Sequence, residues 1–308
     1  MTRTIVISDT HIPRKGKLTS ARLLAPLIED CDRLVVNGDL AETHKQGLRP
    51  QVESELRTLK SMVEKAGIEL VLLCGNHDTE ISQWRAAEFA GGDILVTHGD
   101  AFDSRIAPWA REAEVMKTEW ERIQRLHPGD ETITTRFDSV RGAAIAEWWM
   151  DPTKPGYSTL LSIMLRPRAL RKVLQQWKQF PTIARTFCSR FFPRAEWIVA
   201  GHCHRFGIDR RARPSVINTG AFGFPTKPYA VILDSNRIQV RPLSNGPNGW
   251  TLEGARNVLE ETVQDAGELH QLHGPPSELP LGNQVIPRAW VAGLQTGPGT
   301  TSPPPEGS

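Results

Sequence analysis

The chain has 308 residues, a formal net charge of +2 and an apolar content of 39%, values that exclude a protein dominated by either charge extreme. A chain of this length can bury a sizeable core, so a soluble globular protein is predicted. No apolar run approaches the length of a membrane-spanning helix, and the first residues lead into an apolar run without a cleavable leader, so we expect a cytoplasmic protein.

Five apolar runs have the same form, because each is short enough for a buried strand and ends in Asp, Asn or His. In chain order they span residues 5–11, 34–39, 70–78, 94–100 and 197–204. Helices predicted for residues 19–30 and 51–65 connect the first three runs in the βαβ rhythm of an α/β fold. A further short helix is predicted for residues 81–90. Since such sheets carry their sites at the carboxyl ends of the strands, the polar endings should meet at one sheet edge.

The strand endings offer oxygen and imidazole donors without a thiolate. They are Asp9, His11, Asp39, Asn76, His98, His202 and His204. A single such ending is an ordinary loop, but five at the same end of the strand are hard to produce by chance. The donor types suit two divalent cations, with Mn²⁺ expected first and Fe or Zn²⁺ as alternatives.

The order of these blocks is Asp-x-His, Gly-Asp, Gly-Asn-His-Asp, His and Gly-His-x-His, and it resembles the calcineurin-like metallophosphoesterases over residues 3–242. The resemblance implies an α/β (α+β) fold, a four-layer αββα sandwich. It assigns one metal to Asp9, His11 and His204, the other to Asn76, His98 and His202, and the bridge between them to Asp39. His77 would be the catalytic histidine beside the leaving oxygen.

The chemistry implied by the resemblance is the hydrolysis of a phosphate ester, with a phosphodiester favoured. A water held between two metals ionises near neutral pH, and the resulting metal-bound hydroxide would attack phosphorus while the metals neutralise the phosphate oxygens. His77 follows a proposed ligand, Asn76, and is thereby placed to donate a proton to the leaving group. The expected partner is an anionic phosphate-ester substrate, and nothing predicts an obligate protein partner.

Four further residues are weaker candidates for contacts with the ligands or the substrate. Glu42 stands where the family often has Asp, three residues after the bridging carboxylate, and is expected to support the ligands. Asp78 and Asp100 follow the third and fourth strand endings, and Asn218 lies in a segment that resembles the family's Asn-x-Gly wall. His44 is either a solvated loop residue or a substrate contact.

A long insertion, residues 101–195, separates His98 from the strand before His202 and is predicted to be mostly helical, forming a helical cap near the site. An apolar stripe from Ile106 to Ile123 predicts one helix. A second part, residues 152–194, has no Asp or Glu and nine cations: Lys154, Arg166, Arg168, Arg171, Lys172, Lys178, Arg185, Arg190 and Arg194. It favours an anionic membrane surface, a nucleic-acid or other phosphate ligand, or a solvated face over a packed one.

The insertion is also similar to those of the UDP-2,3-diacylglucosamine hydrolases, pyrophosphatases that act on a nucleotide-linked lipid. Those enzymes commonly carry Arg where His77 stands, so the specific lipid reading is an alternative. A phosphodiesterase acting on DNA or RNA is another, and a peripheral position at the inner membrane surface would accompany the lipid reading. A non-catalytic scaffold is disfavoured because no ligand is missing.

The phosphoesterase domain is expected to span residues 1–243 and to close with a hairpin over residues 229–240. A helical extension is predicted for residues 244–273, with its helix at 252–270. Residues 274–308 are rich in Pro, Gly, Ser and Thr and predict a disordered tail.

Overall fold

A computed structural model describes residues 2–14, 18–129, 132–150, 166–223, 227–254 and 257–274. The described strands are β1 Thr4–Ile7, β2 Arg33–Asn37, β3 Glu69–Leu73, β4 Ala86–Phe89, β5 Ile94–Thr97, β6 Trp197–Ala200, β7 Gly207–Asp209, β8 Ser215–Asn218, β9 Tyr229–Asp234, β10 Arg237–Gly246, β11 Gly249–Leu252, β12 Leu259–Thr262 and β13 Leu269–His273. The described α-helices are α1 Ala25–Glu29, α2 Arg49–Ala66, α3 Ala113–Leu126, α4 Ile133–Met150 and α5 Pro167–Phe191. Lys154 and the predicted tail from residue 275 onward lie outside the described residues.

Two sheets carry the strand endings. In the first sheet the order is β11-β10-β9-β1-β2-β3, with β12 paired to β10, and in the second it is β13-β4-β5-β6-β8-β7. The pairs β1–β2 and β2–β3 are parallel, and so are β5–β6 and β6–β8. Each sheet therefore brings the carboxyl ends of consecutive strands to one edge, as the polar endings predicted.

The alternation of side chains along the strands produces four layers. In β1, Ile5 and Ile7 lie in a cluster with the residues of α1 and α2, while Val6 between them lies in a cluster that joins both sheets. In the second sheet, Leu95 and Ile198 lie in a cluster with the residues of α3, α4 and α5. The architecture is thus an αββα sandwich, and the helices of the insertion form its outer layer on the second sheet.

The helix predicted for residues 81–90 is wrong. Residues Ala86–Phe89 form β4, which pairs with β5 on one side and with β13 on the other. Alanine and glutamate favour helix locally, but two strands that need partners outweigh this small preference.

The helix predicted from Ile106 begins later, because α3 starts at Ala113. Ile106 has a left-handed φ of 55° and lies in the turns that precede the helix. Within α3, Met116 and Trp120 are buried as the stripe predicted.

The helix predicted for residues 252–270, within the extension 244–273, is also wrong. Strand β12 pairs with β10 in the first sheet, and β13 pairs with β4 in the second. Sheet edges present unpaired backbone groups, and the segment satisfies them as added strands. None of the described helices is long and apolar enough to cross a membrane.

Candidate metal centre

The loops after β1 and β2 are joined through their backbones. The amide of Asp9 donates to the carbonyl of Gly38 at 3.2 Å, and the amide of His11 donates to the carbonyl of Asp39 at 2.9 Å. Five of the seven predicted ligands have a left-handed φ between 50° and 67°: Asp9, His11, Asp39, His202 and His204. This conformation is costly for residues other than glycine and persists where the surroundings enforce it, typically at functional sites.

Two glycines allow the loops to approach each other closely. A Cβ atom on Gly75 would lie 2.2 Å from Oδ1 of Asp39, and one on Gly201 would lie 2.2 Å from Oδ2 of Asp9. Each of these strand endings therefore requires glycine, because a larger residue would displace a predicted ligand.

The ligands predicted for the first metal lie together. Nε2 of His204 is 3.1 Å from Oδ1 of Asp9, and Nε2 of His11 is 3.0 Å from Nε2 of His204. Ligand atoms of these three residues and of Asp39 all lie within 4.8 Å of one another. Two carboxylates and two imidazoles at this spacing fit one divalent cation.

The ligands predicted for the second metal adjoin this cluster through Asp39. Nε2 of His98 is 3.3 Å from Oδ2 of Asp39, and the rings of His98 and His202 are 5.2 Å apart. Oδ1 of Asn76 and Nε2 of His98 are buried and have no hydrogen-bond partner in the described structure. Buried polar atoms are rarely left unsatisfied, so a bound cation is a fitting partner for such a lone pair.

Backbone carbonyls orient the two histidines of the second position. Nδ1 of His98 donates to the carbonyl of Asn37 at 2.9 Å, and Nε2 of His202 donates to the carbonyl of Ile106 at 2.9 Å. Each bond fixes the proton on one ring nitrogen and leaves a lone pair on the other, as in histidines that bind metals.

Glu42 plays the corresponding part for His11 and is fully buried. Its Oε1 lies 3.0 Å from Nδ1 of His11, and its Oε2 lies 3.3 Å from Nδ1 of His77. Arg14 at 3.3 Å and Lys45 at 2.9 Å also pair with this carboxylate. Burial raises the pKa of Glu42, but the charge of His77 and the hydrogen bond from His11 outweigh it and hold this pKa well below 4.5.

His77 lies beside the centre with part of its side chain exposed, at 28%. Its amide donates to Oδ1 of Asp39 at 2.9 Å, so the backbone of His77 is tied to the predicted bridging carboxylate. Burial lowers the pKa of this imidazole, but the charges of Asp39 and Glu42 outweigh burial and raise it to about 9. A histidine in this state can donate a hydrogen bond to an oxygen.

The other three weak candidates support the loops. Asp78 accepts hydrogen bonds from the amides of Gly75 at 2.7 Å and Leu40 at 2.6 Å, which ties the loop after β3 to the loop after β2. Asp100 forms a buried ion pair with Arg85 at 3.0 Å.

The side chain of Asn218 also binds backbone groups. Its Oδ1 accepts from the amide of Gly220 at 3.0 Å, and its Nδ2 donates to the carbonyl of Gly201. The interactions of Asp78, Asp100 and Asn218 with the protein fit structural roles.

Three tryptophans of the insertion lie next to residues of the centre. The sequence did not indicate them as site residues. The ring of Trp148 in α4 stacks on His44 at 5.2 Å, and His44 in turn packs against His77 at 4.8 Å. The ring of Trp109 lies 5.9 Å from that of His202. In α5, Nε1 of Trp177 donates to the carbonyl of Cys203 at 2.8 Å.

Asn37 was also missed, although it carries a signal in the sequence. Its Nδ2 donates to the carbonyls of Thr97 and Val199, at 3.1 and 3.2 Å, and so connects β2 to the second sheet. A polar residue directly after the apolar run Leu34-Val35-Val36 is the pattern that could have revealed it. Trp148 has no comparable signal, since nothing local relates it to His44.

The chain matches one protein family and resembles several solved structures of low sequence identity. The profile described as calcineurin-like phosphoesterase matches residues 2–206. No curated protein matches the sequence.

Among solved structures, a dimetal phosphatase from Danio rerio has 13% identity and a TM-score of 0.41, covering 86% of this chain and 99% of its own. Vacuolar protein sorting 29 from Cryptosporidium parvum has 13% identity and a TM-score of 0.37, covering 85% and 98%. A cold-active protein-tyrosine phosphatase of a psychrophile, Shewanella sp., has 16% identity and a TM-score of 0.37, covering 86% and 81%.

Proposed function

The chain belongs to the calcineurin-like phosphoesterase family, and we propose that it hydrolyses a phosphodiester with two divalent metal ions, Mn²⁺ first among them. The carrying observation is that Oδ1 of Asn76 and Nε2 of His98 are buried without a hydrogen-bond partner in the described structure, and that Nε2 of His98 lies 3.3 Å from Oδ2 of Asp39. Both positions offer oxygen and nitrogen donors without a thiolate, which suits Mn²⁺.

The residues that would hold the ions are divided between the two positions. They are Asp9, His11 and His204 for the first ion, Asn76, His98 and His202 for the second, and Asp39 for both. When bound, two such ions activate a water and neutralise the charge that develops on the phosphate oxygens.

His77 is proposed to donate a proton to the leaving oxygen. Glu42 holds Nδ1 of His77, which leaves Nε2 for the substrate. The hydrogen bond from the backbone amide of His77 to Asp39 holds the residue beside the centre. Glu42 acts as a positioning residue because it touches His11 and His77 together.

Aromatic rings at two ends of the centre support a substrate with two organic substituents. Trp148 lies behind His44 at the His77 end, and Trp109 lies at the His202 end. A phosphodiester has two organic substituents, one for the side of His44 and one for the side of Trp109, whereas a monoester has only one.

The test is hydrolysis by protein that has been stripped of metal and reconstituted with Mn²⁺, using a phosphodiester and a phosphomonoester. Two diesters test whether His77 protonates the leaving group. One has an alkyl alcohol as leaving group, and the other is bis(p-nitrophenyl) phosphate, whose nitrophenolate needs little protonation. We expect His77→Ala to lose about 100-fold or more on the alkyl diester and less on the nitrophenyl diester, with the metal content retained.

The matched control is His127→Ala, since His127 is exposed at the end of α3. Equal losses of activity on the two diesters would refute the role of His77 as proton donor. Reconstituted wild-type protein that hydrolyses neither diester would refute the proposed phosphodiesterase activity. Hydrolysis of the monoester alone would agree with a phosphoesterase but would refute the proposed preference for a diester.

A further inference from the structure

The first half of α5 presents an apolar pair on the surface. Leu170 is 37% exposed and Leu174 is 51% exposed, and they lie one turn apart on the same side of the helix. The spacing of Leu170, Val173, Leu174 and Trp177 in the sequence predicts one apolar face. Instead the helix buries its neighbouring side, with Ala169, Gln176 and Phe180 inside, and leaves the two leucines uncovered.

Cations flank this pair without any acidic residue in the helix. Arg168, Arg171, Lys172 and Lys178 are exposed, and within the described part of the chain none of them forms an ion pair. The helix has six cations and no Asp or Glu over Pro167–Phe191. The first half of α5 is therefore strongly positive around the two exposed leucines.

The same surface reaches the sheet edge with the candidate metal centre. Trp177 follows Leu174 by one turn, and its indole donates to the carbonyl of Cys203, between His202 and His204. The guanidinium of Arg205, directly after His204, lies 5.1 Å from the ring of Trp177. Trp177 thus connects the side of α5 that carries the exposed leucines to the loop of His202 and His204.

We infer that this surface, defined by Leu170, Arg171, Leu174, Lys178 and Arg205, docks on an anionic lipid bilayer. Exposed leucines insert among acyl chains at the interface, while arginine and lysine are attracted to anionic head groups. Nucleic acid would use the cations but would leave the leucines in water, so the apolar pair decides between the two partners. Docking here would place the loop of His202 and His204 close to the membrane surface.

The test is co-sedimentation of the full chain with phosphatidylcholine vesicles, with and without phosphatidylglycerol. It reads binding alone and is independent of metal and of turnover. We expect binding to the anionic vesicles only, and a decrease with salt because charge attraction is screened.

Two double variants separate the apolar and the charged contributions. Leu170→Ser/Leu174→Ser and Arg171→Gln/Lys178→Gln should each weaken vesicle binding by about tenfold or more. The matched controls should bind like the wild type. They are Leu126→Ser/Val258→Ser, at two other exposed apolar residues, and Arg57→Gln/Lys65→Gln on the exposed face of α2.

Several outcomes would overturn the inference. One is a wild-type protein that does not bind anionic vesicles, and another is a leucine variant that binds them as the wild type does. If the leucine variant fails to bind but also melts earlier or changes its mass on size-exclusion chromatography, the leucines pack against the chain itself or a second copy. Binding of a DNA duplex that depends on the cations but not on the leucines would assign the surface to nucleic acid.

Discussion

At the scale of single residues, the centre depends on how its histidines are held. Glu42 is a buried carboxylate that contacts a predicted ligand, His11, and the proposed proton donor, His77. One side chain therefore fixes the proton on Nδ1 of both rings, so metal binding and proton donation should be lost together when it is changed.

Glu42→Gln is expected to lower both Mn²⁺ affinity and turnover by about tenfold or more, because the amide loses the charge and one of two acceptor oxygens. Calorimetric titration of Mn²⁺ and steady-state kinetics measure the two effects. The control is Glu55→Gln, whose carboxylate accepts from Ser20 and Ala21 away from the centre. A variant with reduced turnover and unchanged metal affinity would show that Glu42 positions His77 but does not support metal binding through His11.

Gly75→Ala is expected to abolish tight metal binding, because its Cβ would lie 2.2 Å from Oδ1 of Asp39 and displace it. The metal content after dialysis against Mn²⁺ and the melting temperature in chelator show whether the loss is local. Gly47→Ala is the control, since nothing lies within 4 Å of a Cβ at that position. Full metal content in Gly75→Ala would mean that the loop can move away without cost to the centre.

At the scale of elements, the sequence reveals what lies within one segment and misses what depends on a distant partner. The strands that end in the predicted ligands are apolar runs with a polar stop, so β1, β2, β3, β5 and β6 could be predicted together with the polar residues that follow them. The strands β4, β12 and β13 have weak local signals and form because neighbouring strands offer unpaired edges. For the same reason Glu42 could be proposed from its spacing, whereas Trp148 could not, because only folding brings it to His44.

The attachment of α5 to the edge strand β7 gives a prediction for pH. Asp209 bonds to Arg185 of α5 at 2.6 Å, and Arg211 holds the same carboxylate. The hydrogen bond from Arg211 contributes most to lowering the pKa of Asp209, burial opposes it, and Arg185 lowers it further. The ionised carboxylate is thus favoured in the folded state, so its stabilisation is full above the unfolded pKa of about 3.9 and is lost as the pH falls below it.

Asp209→Asn should therefore lower the free energy of unfolding by about 1 kcal/mol at pH 7, and the difference from the wild type should shrink at about pH 3. Urea unfolding at the two pH values measures this change. Glu196→Gln serves as the control, because its ion pair with Arg213 is largely exposed and should contribute little at either pH. A difference for Asp209→Asn that is the same at both pH values would show that its charge is not involved.

At the scale of the whole molecule, the centre joins the two halves of the sandwich. Asp9, Asp39 and Asn76 follow strands of the first sheet, whereas His98, His202 and His204 follow strands of the second. The sheets also meet through apolar side chains, among them Val6, Val35 and Val199, and through the hydrogen bonds of Asn37. Ions held by ligands from both sheets bind only the folded state, because unfolding separates their ligands.

Mn²⁺ should therefore raise the melting temperature of the whole chain. At a free concentration of about 100 times the dissociation constant, binding adds about 2.7 kcal/mol, or about 5–10 °C for a domain of this size. Calorimetric scans of metal-stripped protein across a Mn²⁺ series measure the rise, which should continue with concentration because it follows mass action. Asp39→Asn should show no such rise, since Asp39 lies next to both ligand groups. A melting temperature that ignores Mn²⁺ in the wild type, or an Asp39→Asn variant that still binds two ions, would contradict a centre built across the two sheets.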